Sequence, residues 1–170
     1  ASFAGFVQSA GGGIIGSNEF GSGKEGWYLS QRDARWANQK IGNSNYTVFE
    51  VGCLITSVAM YNRYYGNNIS PGDIAKDDSR FFSNTAMMLI PWKAPPGKSY
   101  KAITASSISD ELEKRPVIVG VYAGPYGTHF VVLSKKSGSD YIMYDPWYGP
   151  DLKFSDYYQK SSIYSAVVFK

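Results

Sequence analysis

The chain contains one cysteine, Cys53, and one histidine, His129. A thiol and an imidazole are the two groups that nucleophilic attack on an acyl carbon requires: the sulfur attacks, and the ring takes up and returns the proton. With one copy of each, no competing pairing exists. Cys53 lies in the run Val51-Gly52-Cys53-Leu54-Ile55-Thr56-Ser57-Val58-Ala59-Met60-Tyr61, which reads as a glycine-closed turn opening into a helix. A thiol in a first helical turn feels the positive end of the macrodipole and the N–H groups there, and both favour thiolate. The plainer readings are that Cys53 is a small buried hydrophobe and that His129, at a strand end, is structural. What separates the readings is whether folding brings the two together.

A base needs an orienting group, and hairpin geometry nominates one. Thr128–Ser134 and Tyr141–Asp145 read as strands joined by a loop containing Gly138. Pairing about residue 137 sets position 129 opposite 145, where side chains on one face lie roughly 4.5 to 5.5 Å apart. Asp145 then accepts from the ring of His129; a slip of one residue puts them on opposite faces. Asp145-Pro146-Trp147 is equally a good chain reverser, and the two readings are compatible. For the oxyanion of a tetrahedral intermediate, the backbone N–H of Cys53 is one candidate donor. Gln31 is another, because its amide donates without changing charge.

The elements that must position these groups follow from periodicity. Residues 53–65 contain no Pro or Gly and end at Gly66-Asn67-Asn68, as a helix does; apolar residues at 54, 58, 61 and 65 give it one buried face. Ser70-Pro71-Gly72-Asp73 starts a second helix, and Ser107 to Lys114 a third, with Ser107 or Ser109 as cap and acids in its first turn. Residues 76–104 have poor periodicity and read as an irregular excursion with one short helix near 84–90. Pro116–Ala123, Thr128–Ser134, Tyr141–Asp145 and Tyr164–Phe169 read as strands. Helices first and sheet second predict an α+β domain of two packed layers. Residues 1–26 are glycine-rich and aperiodic, a linker or an extension lying on the domain through Phe3, Phe6, Val7, Ile14 and Ile15; the domain proper is 27–170.

At 170 residues the chain is one domain by length, 44% hydrophobic and only 18% charged, with 14 tyrosines. The net charge of +3 is spread without a basic stripe, which argues against a nucleic-acid partner. No apolar run reaches the roughly 18 residues of a membrane span. One cysteine excludes an intramolecular disulfide, and one histidine argues against the common zinc sites, so no cofactor or metal is expected. The chain begins with Ala rather than Met, which leaves room for an upstream signal peptide; the abundance of Tyr, Ser, Asn and Gly suits an extracellular or cell-surface protein.

Four motifs occur in order: Gln31-x-Asp33-x-x-Trp36, the run from Val51 to Met60, Thr128-His129-Phe130-Val131-Val132, and Asp145-Pro146 with Gly149. Together they resemble the C39-like cysteine peptidases, across about residues 27–170. The resemblance implies a papain-like fold, with the Cys-bearing helix packed on a C-terminal antiparallel sheet. It implies Cys53 as nucleophile, His129 as base, Asp145 as orienter and Gln31 as oxyanion donor. Gln31 lies farther upstream of Cys53 than in the transporter-fused leader peptidases, so the chain is closer to the free-standing branch; Leu54 also stands where many relatives have Gly. The expected activity is hydrolysis of a peptide or amide bond through a thioester. The alternatives are an inactive peptide- or cell-wall-binding module of the same fold, or an acyltransferase using the same triad. Substrates in keeping with this are a protein, a secreted peptide or a peptidoglycan stem or bridge peptide, with oligomeric state open.

Overall fold

The computed structural model describes residues 11–170; Phe3, Phe6 and Val7, expected to dock on the domain, lie outside them. Among the described residues, four α-helices precede or interrupt a sheet: α1 (Val48–Val51), α2 (Cys53–Tyr64), α3 (Pro71–Ala75) and α4 (Ile108–Leu112). The strands are β1 (Tyr100–Ala102), β2 (Val117–Tyr122), β3 (Thr128–Ser137), β4 (Asp140–Asp145), β5 (Gly149–Lys153) and β6 (Ile163–Phe169). They form one sheet in the order β1-β6-β2-β3-β4-β5, with every neighbouring pair antiparallel. The architecture is α+β.

Alternation along the strands divides the core. Ile118, Phe130, Val132, Tyr144 and Val167 face α2 and pack with Cys53, Leu54, Val58 and Tyr61. Val117, Val119, Val131, Leu133 and Met143 face the other way, onto Ile108 and Leu112 of α4 and onto Phe154 and Tyr158. The sheet is therefore covered on both faces, where two layers were expected. The same enclosure changes α2: every residue from Cys53 to Asn62 is buried, not one stripe alone. Most of its polar residues are bonded, as burial demands: Asn62 donates to the carbonyls of Val58 (3.0 Å) and Lys93 (2.9 Å), and Tyr61 to that of Pro116 (2.6 Å), while Thr56 Oγ1 has no partner among the described residues.

Three other expectations change. No helix forms at 84–90; Phe81 and Met88 pair as an isolated antiparallel bridge around a turn, with Asn84 at φ 62°. Strands β1 and β5 were not foreseen, β1 because it is three residues long and β5 because Gly149 and Pro150 obscure it, a composition tolerated at a sheet edge. Helix α4 is one turn shorter than expected, and Ser107 makes no side-chain cap.

Candidate active site

Cys53 is positioned by two helical pieces joined at a glycine. Thr47 caps α1, accepting from the N–H of Glu50 while the Glu50 carboxylate accepts from the N–H of Thr47, a capping box. The chain then turns at Gly52, whose N–H donates to the carbonyl of Val48 (2.7 Å), and α2 begins at Cys53. A Cβ at 52 would lie 2.4 Å from that carbonyl oxygen, so only glycine lets the two pieces close this tightly. The expected glycine-closed turn before the cysteine is present at Gly52, preceded by the capped helical turn α1.

His129 and Asp145 meet through a register that the sequence reading missed. The hairpin turns at Gly138-Ser139, and from there Ser137 pairs with Asp140, Lys136 with Tyr141 and Lys135 with Ile142. Extended unchanged, that register would put Asp145 opposite Val132 and on the face away from His129. A bulge between Leu133 and Lys135 shifts it, so that Leu133 pairs with Met143 and Val132 with Tyr144. Asp145 then falls on the face of Val131 and His129, diagonal to the histidine and not directly opposite it. One extra residue in β3 restores the parity that a one-residue slip would destroy.

In the result, His129 Nε2 lies 2.8 Å from Asp145 Oδ1, both side chains fully buried. A carboxylate only accepts, so Nε2 carries the hydrogen that points at Asp145. Burial opposes a charged ring, but the Asp145 carboxylate and then Cys53, each by charge and by hydrogen bond, outweigh it and raise His129 to about 9. Burial likewise pushes the Asp145 carboxyl up, and the His129 charge, with bonds from His129, Tyr158 and Trp147, holds it below the usual carboxylate range. Oδ1 also accepts from the N–H groups of Trp147 (2.8 Å) and Tyr148 (3.2 Å), and Oδ2 from Tyr158 Oη (2.6 Å). The Asp-Pro turn and the His partner are one carboxylate. Tyr158 and Trp147 carry no sequence signal among 14 tyrosines and 4 tryptophans.

Gln31 is fully buried on the segment that ties the two halves together. Its N–H donates to the carbonyl of Pro146 (3.0 Å), and Tyr28 Oη donates to that of Asp145 (2.7 Å). Its side-chain Nε2 reaches α1, donating to the carbonyls of Phe49 (3.0 Å) and, at 3.4 Å, of Val48. The Val48 oxygen also accepts from the N–H of Gly52 (2.7 Å), so the Gln31 amide hydrogens are turned toward α1, while its Oε1 is buried without a hydrogen-bond partner among the described residues. Trp36 anchors this segment, burying its ring and donating to the carbonyl of Ser30 (2.7 Å).

Neither Cys53 nor His129 has exposed surface. Phe49, Trp147 and Ala37 form an apolar cluster beside them, on which Ala123, Tyr126 and Tyr148 pack. A cavity of about 630 Å³ lined by Tyr122, Tyr126, Tyr148, Tyr157 and Tyr158 opens on the far side of the two tyrosines that touch Asp145.

A family model described as the Peptidase C39-like family matches residues 28–166. The chain belongs to the Peptidase C39-like family. No curated protein and no solved structure matches it. Its α+β architecture, with the cysteine on a helix against an antiparallel sheet, agrees with a papain-like C39 fold. Among the described residues of this C39-like chain, no group of three His, Cys, Asp or Glu side chains could hold a metal ion, and no helix is long and apolar enough to cross a membrane.

Proposed function

We propose that this member of the C39-like family is a cysteine peptidase that cleaves a peptide or amide bond through Cys53, His129 and Asp145. The observation that carries the reading is the buried 2.8 Å contact of His129 with Asp145, on a ring whose protonation Cys53 also favours. In the reaction, Cys53 gives its proton to His129 Nδ1 and its sulfur attacks the carbonyl carbon. The N–H of Cys53 and the side-chain amide of Gln31 stabilise the oxyanion. As the intermediate collapses, the C–N bond breaks and His129 protonates the leaving amine. Water then attacks the thioester, His129 takes its proton, and C–S cleavage frees the acid and restores the thiol.

The test is turnover of a peptide library by the native chain and by Cys53→Ala. Cleavage by the native chain and none by the variant supports the proposal; equal cleavage by both overturns it. The zero exposure of Cys53 and His129 favours a second reading, a peptide-binding module without turnover. A small thiol electrophile separates the two, because only a cysteine activated by a neighbouring base reacts fast at mildly acid pH.

A further inference from the structure

The segment Gly11–Ile15 is held against the residues that flank the site. Trp147 Nε1 donates to the carbonyl of Gly11 (2.9 Å) and Arg32 Nε to that of Gly13 (2.8 Å). The N–H of Ile15 donates to the carbonyl of Arg32 (2.9 Å), and the N–H of Ala34 to that of Ile15 (2.9 Å), a parallel bridge centred on Asp33. Each of these bonds is made by the segment's main chain. That is how a groove grips an extended peptide by strand addition, without reading its side chains.

The gripping residues belong to the site's surroundings. Arg32 follows Gln31 in the chain. Trp147 gives its backbone N–H to the Asp145 oxygen that His129 uses, and its ring packs on Phe49 at 5.2 Å. Arg32 also donates Nη1 to the carbonyl of Trp147 (3.2 Å) and lies 5.2 Å from the Trp147 ring. These contacts do not involve the segment, so the track is built whether or not it is filled. Its occupant is specialised: Gly11 and Gly12 have φ of 90° and 87°, and a Cβ on Gly12 would lie 2.4 Å from Arg32 Nη2.

We infer that Arg32–Ala34 and the Trp147 indole form a peptide-binding track beside Cys53, His129 and Asp145, and that Gly11–Ile15 is its intramolecular occupant, displaced when an extended substrate peptide enters. The displacement by substrate rests on the peptidase reading; the track itself does not. A tethered occupant competes at high effective concentration, so it raises the apparent KM of any peptide that uses the same bonds.

The experiment uses the full chain with Gly12→Val, which puts a branched side chain at positive φ against the guanidinium, and separately Ile15→Pro, which removes the N–H given to Arg32. Both lie outside the region 28–166 that the family model matches. The readouts are hydrogen exchange at the Ala34 N–H, its recovery on adding the synthetic peptide Gly-Gly-Gly-Ile-Ile, and peptide-cleavage kinetics. Expected are faster Ala34 exchange in both variants, saturable recovery with the peptide, and KM lower by on the order of tenfold at unchanged kcat. Native-like exchange in both variants, or no recovery with the peptide, overturns the track. Turnover with unchanged KM in both variants overturns displacement by substrate. No turnover in any chain, with Ala34 exchange responding as expected, overturns the peptidase reading and supports the track.

Discussion

His129 stands between a buried carboxylate and a buried thiol, and its raised protonation follows from that position. The ordinary value is 6.5 and the folded value about 9. Between those two values the folded chain holds a proton that the unfolded chain has released. The ring's contribution to stability is therefore complete below about 6.5 and is lost as pH rises through about 9. Thermal melts between these limits should show Tm falling with rising pH, and His129→Gln should flatten that fall. Asp145 works in the opposite sense: its contribution is present above the usual carboxylate value and disappears as pH drops through its lowered one. Asp145→Asn should lower kcat/KM by about 10⁴-fold through loss of tautomer and charge, measured on a peptide the native chain cleaves. Tyr158→Phe removes one bond to the same carboxylate (2.6 Å). It should cost roughly 1.5 to 3 kcal/mol of stability in a denaturant titration, with a smaller loss of activity than Asp145→Asn.

At the scale of elements, two local devices aim these residues. Gly52 lets α1 close onto α2, so Gly52→Ala should destabilise by about 1 to 3 kcal/mol through overpacking and lower kcat more than it changes KM. The bulge at Ser134 sets the face of Asp145. Deleting Ser134 removes the unpaired residue and leaves Lys135 opposite Ile142 and Leu133 opposite Met143, so Asp145 stays on the face of His129; the sheet should stay folded by circular dichroism and cleavage should persist. These devices also mark how far the sequence could be read. The helix from Cys53 was legible because Gly66 ends it and no breaker interrupts it. The four longest strands were legible because they are rich in Val, Ile and Tyr and bounded by turn residues. The bulge was not, because a run such as Leu133-Ser134-Lys135-Lys136 has the same texture with or without an extra residue. Asp145 was nominated through a register the hairpin does not have, and its partnership with His129 holds because the bulge restores parity. Gln31 was nominated by the chemistry of its amide and then by the resemblance, since nothing local to it signals that its amide meets α1, far along the chain.

Over the whole molecule, enclosure is the theme. The sheet is packed on both faces, the thiol and imidazole have no exposed surface, and the glycine-rich segment from Gly11 is strapped to Arg32 and Trp147. On the peptidase reading, a substrate reaches Cys53 only after neighbouring side chains move, because the thiol has no exposed surface. The loop that carries Ala123 and Tyr126 is bounded by Gly124 and Gly127 at φ of 60° and 81°, backbone suited to such movement. None of this enclosure was visible in composition, because it arises from contacts between segments distant in sequence. The central claim remains that one thiol, one imidazole and one carboxylate form a single coupled unit. Because His129 is the only histidine, its ring titration by NMR reports on that unit without ambiguity. The account predicts a midpoint near 9 in the native chain and a clear drop in Cys53→Ala. A midpoint near the ordinary 6.5, or one that Cys53→Ala leaves in place, would contradict it.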